Sequence, residues 1–128
     1  MQKIDFAKGN GLVPVIVQDY RSREVLMVAY MDEEAWKKTQ RTGKAHYYSR
    51  SRRKIWLKGE ESGHFQEIKD ILIDCDNDTL LFRVKQMRGG ACHMGYRSCF
   101  FRRKQKSGWK AVAKKVFEPN RVYQKSKA

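Results

Sequence analysis

The sequence predicts one compact α+β domain, mostly antiparallel sheet with few short helices. Short apolar, β-branched runs alternate with polar breaks along most of the chain, while only one segment carries both start and stop signals of a helix. No internal repeat or low-complexity block interrupts the pattern. The 128 residues are 41% hydrophobic, enough for a domain of this size to fold around its own core without disulfides or metal.

Leu12 to Gln18 and Glu24 to Tyr30 are apolar runs separated by the polar stretch Asp19-Tyr20-Arg21-Ser22-Arg23, the pattern of an antiparallel hairpin. Asp32 is a helix cap ahead of the acids Glu33 and Glu34, and Gly43 follows the basic stretch Lys37 to Arg41, so a helix is expected over about residues 33–42. His46-Tyr47-Tyr48 and Lys54-Ile55-Trp56-Leu57 read as short strands joined by a basic loop, after which Gly59 to Gly63 breaks the pattern. Phe65 to Asp74 and Leu80 to Gln86 read as a second hairpin, turned by Asp76-Asn77-Asp78-Thr79. Arg88-Gly89-Gly90 opens a flexible connection, Arg97 to Arg103 is expected to be strand, and Lys110 to Phe117 has no decisive period before Pro119 ends it. Residues 119–128 read as a basic tail of the same single domain, frayed from Gln124 onward.

Lys and Arg number 28 against 14 Asp and Glu, a formal charge of +14. Such a field attracts nucleic acid, an anionic membrane surface or a phosphorylated small molecule without choosing among them. No apolar run approaches the roughly 20 residues that span a bilayer, and the amino-terminal stretch lacks the zones of a secretion signal, so a cytoplasmic protein is expected. Cys75, Cys92 and Cys99 are then an odd set of reduced thiols rather than a disulfide framework.

Local chemistry narrows the choice. Asp74-Cys75-Asp76-Asn77-Asp78 crowds three carboxylates into five residues with no cation nearby in sequence, an arrangement relieved by a hard divalent ion. An EF-hand is excluded, because counting from Asp74 the sixth position is Thr79 rather than Gly and the twelfth is Lys85 rather than Glu. A solvated turn built for its geometry is the plainer alternative. The three cysteines lack the close pairs of structural zinc, and three thiolates would leave a fourth position for water, as catalytic zinc does; small core cysteines are the plainer reading. On a locally extended segment Asp74, Asp76 and Asp78 would project one way and Cys75 the other, letting a soft and a hard metal sit near one loop. The stretch Ser49 to His64 combines Arg50, Ser51, Arg52 and Lys58 with glycines and Trp56, suited to phosphate and a stacked base, although a solvated basic loop beside a core Trp also accounts for it. Among His46, His64 and His93, His93 is placed best for proton transfer because it adjoins Cys92.

These residues resemble the phosphoribosyl-AMP cyclohydrolase family of histidine biosynthesis over about Val15 to Arg102, through ordered motifs. They are Met27-Val28-Ala29-Tyr30-Met31, Tyr48-Ser49-Arg50-Ser51-Arg52, Trp56-Leu57-Lys58-Gly59-Glu60, Ser62-Gly63-His64, Asp74 to Leu81, and Gly90-Ala91-Cys92-His93 with Gly95 to Phe100. The resemblance implies hydrolytic opening of the purine ring of N1-(5-phosphoribosyl)-AMP between N1 and C6. It also implies zinc at Cys75, Cys92 and Cys99, magnesium at Asp74, Asp76 and Asp78, and an intertwined homodimer in which Cys75 of one copy joins Cys92 and Cys99 of the other. Ribose on N1 makes C6 electrophilic, and the departing nitrogen needs a proton, a role assigned to His93 or His64. Arg50, Ser51, Arg52 and Lys58 are assigned to the substrate phosphates and Trp56 to the base.

A small RNA-binding module would account for the charge and for Tyr47, Tyr48 and Trp56, but the acidic cluster would repel phosphate and no RRM or KH signature is present. Nucleic acid is therefore not the expected partner. A metal-stabilised interaction protein is the third possibility, and it predicts four protein ligands on zinc with no water.

Overall fold

The computed structural model describes residues 3–119. A four-stranded sheet in the order β2-β1-β6-β5 forms the body, from β1 (Val13–Asp19), β2 (Val25–Met31), β5 (Gln66–Ile73) and β6 (Leu80–Gln86). Between β2 and β5 lie α1 (Glu33–Thr42) and the hairpin β3 (His46–Ser49) and β4 (Lys54–Leu57), and a second small hairpin follows the body as β7 (Arg102–Gln105) and β8 (Gly108–Ala111). The α+β expectation holds, as do both large hairpins and the helix.

Strand alternation decides where the core lies. Val13, Val15 and Val17 of β1 and Leu80, Phe82 and Val84 of β6 are buried on one face, covered by Tyr47 from β3 and Ala35 from α1. Period-two burial of β-branched residues makes this the favoured state of both strands. The helix begins as its cap chemistry requires: Asp32 accepts from the Ala35 amide at 2.8 Å. It ends at Gly43, whose φ of +74° lets its N–H reach Thr39 O at 2.9 Å.

One expectation fails, at Arg97 to Arg103, and the sequence leaves two further features open. β1 and β6 pair in parallel, Val15 opposite Leu80 and Asp19 opposite Val84, because the intervening helix and strands form one long crossover. The segment expected as a strand at Arg97 to Arg103 is irregular through Phe101, and only Arg102 and Arg103 join β7. Its polar groups are engaged elsewhere: Ser98 Oγ donates to Val25 O at 2.6 Å, Cys99 N donates to Leu26 O at 2.7 Å, and Arg97 binds Asp19 and Glu24 at 2.9 Å each. The ambiguous stretch from Lys110 contributes only its first two residues to β8 and then runs irregularly. The tail expectation for 120–128 lies outside the described residues.

Candidate functional site

Beside β2, under the β3–β4 hairpin, lies a cavity of about 480 Å³ lined by Tyr30, Arg52, Trp56, Lys58, His93 and Cys99, among others. Four of the residues expected from sequence to touch substrate or move protons thus meet here: Arg52, Trp56, Lys58 and His93. Arg50 does not line the cavity. Its guanidinium lies 3.9 Å from the ring centre of Tyr30, which does. Ser51 is exposed on the β3–β4 turn. His64 is buried outside the cavity wall, with Nδ1 2.7 Å from Gly90 O; a carbonyl only accepts, so this nitrogen carries the proton.

Cys99 lines the cavity, and Cys92 is buried beside it. The Cys99 residue is partly open to solvent, yet burial of its thiol, with Cys92 adding to the effect, pushes it up to about 11. Lys58 Nζ, nearly buried, donates to Ala91 O at 2.6 Å; burial holds its ammonium below the ordinary lysine range, opposed by Cys99 and Cys92. Cys75 is exposed on the β5–β6 turn, and among the described residues no cluster of metal-ligating side chains joins it to the other two thiols. One chain therefore assembles two of the three expected sulfur ligands.

The carboxylates of Asp74, Asp76 and Asp78 do converge, with one oxygen of each within 4.8 Å of the others. The segment is a turn rather than an extended stretch, so the alternating projection expected of it is not what gathers these oxygens. Asp74 Oδ1 instead accepts from the amides of Asp78 and Thr79 at 3.1 and 3.2 Å, and Asn77 takes a φ of +63°. Nor is the cluster without a cation: Lys8 Nζ sits 3.2 Å from Asp78 and, by that hydrogen bond, holds its carboxyl below the usual range.

Sequence reasoning missed Tyr30 as a wall of the cavity, and it missed Glu60 and Glu61, which line it. The signal for the acids was present, since they are the two carboxylates between Gly59 and Gly63, in a break already singled out. Gly59 has no substitute there: with φ at +93°, a Cβ would meet the backbone of His64 and Phe65 at 2.4 to 2.8 Å.

Residues 27–101 match the family model of phosphoribosyl-AMP cyclohydrolase. The chain is 53% identical over 124 residues to a protein of Desulforapulum autotrophicum, covering 96% of this chain and 99% of that one. It is 55% identical to one of Methanoregula boonei, covering 98% of each, and 58% identical to one of Methanosarcina acetivorans, covering 89% and 92%. All three relatives bear the name phosphoribosyl-AMP cyclohydrolase.

Proposed function

The chain belongs to the phosphoribosyl-AMP cyclohydrolase family, and from that premise we propose that its cavity hydrolyses the N1–C6 bond of N1-(5-phosphoribosyl)-AMP, with zinc and magnesium, in the cytoplasm. It is a cyclohydrolase of histidine biosynthesis. The observation that carries the reading is the meeting of Trp56, Arg52, His93 and Cys99 in one cavity, whose volume falls within the roughly 300–1,000 Å³ usual for small-molecule sites.

The donor chemistry fits both metals. Two neighbouring thiols, Cys92 and Cys99, suit a borderline-soft ion, and three converging carboxylates suit a hard one. Zinc would be held by Cys92 and Cys99 together with Cys75 from a second copy in a homodimer, and magnesium by Asp74, Asp76 and Asp78. When bound, zinc would lower the pKa of a water toward about 7 and magnesium would offset phosphate charge.

The remaining work belongs to side chains. Trp56 stacks on the purine, and Arg52 grips a phosphate oxygen pair as a fork. Arg50, fixed on Tyr30, and Ser51 at the β3–β4 turn receive the second phosphate at the cavity mouth. Attack of water at C6 makes that carbon tetrahedral, and breaking C6–N1 requires a proton on N1, which His93 delivers from its ring nitrogen.

The test is direct assay of ring opening by the purified protein with both ions. Cys92→Ala and Cys99→Ala are expected to abolish turnover while leaving a folded dimer; parental turnover in either variant overturns the thiol assignment. His93→Ala should lower kcat by roughly 10²–10⁴-fold with little change in KM.

A further inference from the structure

The loop that presents Cys92 is held by two buried side chains from a distant segment. Lys58 follows β4 and His64 precedes β5, and they donate to consecutive carbonyls: His64 Nδ1 to Gly90 O at 2.7 Å, Lys58 Nζ to Ala91 O at 2.6 Å. The next residue is Cys92. Both donors are almost wholly removed from solvent, where a hydrogen bond is strong and an unmade one costly.

The segment between them is shaped to bring both side chains to the same loop. Gly63 N donates to Gly59 O at 2.7 Å, closing a tight turn, and the His64 backbone passes where a Cβ on residue 59 would stand. His64 is fixed from behind as well, its carbonyl accepting from Gln86 Nε2 at 3.0 Å, and Gln86 Oε1 accepting from Gln66 Nε2 at 2.9 Å. Its ring is packed edge-on against Phe117, with centroids 4.4 Å apart.

We propose that Lys58 and His64 are positioning residues, a two-point clamp on the Gly90 and Ala91 carbonyls that sets the Cys92 thiol beside Cys99 for metal. The proposal rests on the thiol-zinc reading above, and it withdraws Lys58 from phosphate binding and His64 from proton transfer. Nδ1 of His64 is committed to a carbonyl, and the ring lies outside the cavity. Lys58 does line the cavity, but its ammonium is directed to the loop. The carbonyls act on metal only through the backbone, as partners outside the ligand shell do when they orient ligands.

The experiment loads metal-free dimer with Co²⁺ and follows the thiolate-to-cobalt charge-transfer absorption, in parallel with thermal unfolding of the metal-free proteins. Lys58→Met keeps the stem and removes the donor; His64→Phe keeps the packing and removes the donor. Each is expected to weaken Co²⁺ binding by roughly 10- to 100-fold. His64→Asn returns a donor near Nδ1 without a titrating ring, and is expected to recover most of the affinity and turnover. Should Lys58→Met raise KM alone while binding Co²⁺ as the parent does, Lys58 is a phosphate ligand and the clamp is overturned. Should His64→Asn bind Co²⁺ normally yet lose kcat and one limb of the pH profile, His64 moves protons and the clamp is again overturned. A parent protein without the charge-transfer band overturns the thiol-metal reading itself, a failure seen before any variant is compared. Where a variant unfolds below the assay temperature, Co²⁺ binding measured at a lower common temperature decides.

Discussion

The two candidate donor groups, the thiols of the Gly90–Cys99 loop and the carboxylates of the Asp74–Asp78 turn, are built by different means. The Gly90–Cys99 loop is set by contacts from far along the chain, with carbonyls held by Lys58 and His64 and its outer end pinned by Arg97 to Asp19 and Glu24. The Asp74–Asp78 turn is set mainly from within: its carboxylates converge because Asp74 accepts from amides four and five residues on, while the amino-terminal segment adds Asp5 N donating to Asn77 O at 2.6 Å and Lys8 as a cationic partner. A loop tied to buried side chains is ordered in advance by the fold, whereas the exposed turn is ordered mainly by its own geometry. Cys75 lies on that turn, outside any cluster with Cys92 and Cys99 among the described residues, and the proposed homodimer is what would bring it to them.

The largest effect is expected from breaking the ordered side. Gly59→Val places a Cβ against backbone at 2.4 to 2.8 Å in a left-handed conformation, and should cost on the order of 3–5 kcal/mol, enough to unfold a marginal domain. Gly43→Ala is the control, since φ is again positive but nothing lies within 4 Å; it should cost about 1 kcal/mol. Denaturant midpoints measure both, and equal losses would mean the tight approach at Gly59 is not a constraint.

Subunit mixing tests the division itself. Cys75→Ala and Cys99→Ala dimers, each inactive alone, should regain roughly a quarter of parental turnover after co-refolding, because half the dimers are mixed and each mixed dimer has one intact site. No recovery would place all three thiols in one chain's site. On the exposed turn, Asp76→Asn should raise the magnesium needed for half-maximal activity by about tenfold while leaving the thermal midpoint nearly unchanged, since the side chain is exposed. A magnesium titration of activity decides.

The same contrast explains what the sequence made legible. The helix ends and both large hairpins were readable because cap residues, turn residues and strand alternation act within a few positions; the crowding of Asp74, Asp76 and Asp78 was readable too, but a turn gathers their oxygens and not the extended projection expected. What was not readable depends on distant partners. The parallel pairing of β1 with β6 needs the crossover between them; Arg97 to Phe101 has the composition of a strand but gives its hydrogen bonds to β2 and the β1–β2 turn. Lys58 and His64 looked like ordinary members of a basic, His-containing stretch because their acceptors lie 33 and 26 residues away. The lysine that offsets the acidic turn, Lys8, is remote in sequence too, so the cluster looked more isolated than it is.

The smallest expected effect separates the two regions by acid. Asp19 is buried where the Gly90–Cys99 loop meets the β1–β2 turn; burial opposes its charge, but donors from Ser22 and Arg21 and the Arg97 guanidinium outweigh that and hold its carboxyl below 3.8. A carboxyl depressed in the folded state stabilises it fully above the unfolded value and loses that contribution as pH falls through the folded value. Asp19→Asn should therefore cost about 1–2 kcal/mol at neutral pH, and the gap from the parent should close as pH falls below the ordinary aspartate value and through the lowered folded one. Asp78 is depressed as well, through exposed Lys8, but screening by salt should return its carboxyl toward the ordinary value while leaving Asp19 low. Carboxyl titrations followed by NMR at low and high ionic strength read both groups at once. A salt response as large at Asp19 as at Asp78 would show that the loop's outer anchor is as solvated as the exposed turn, and the contrast between a prebuilt and an open donor group would fail at that anchor.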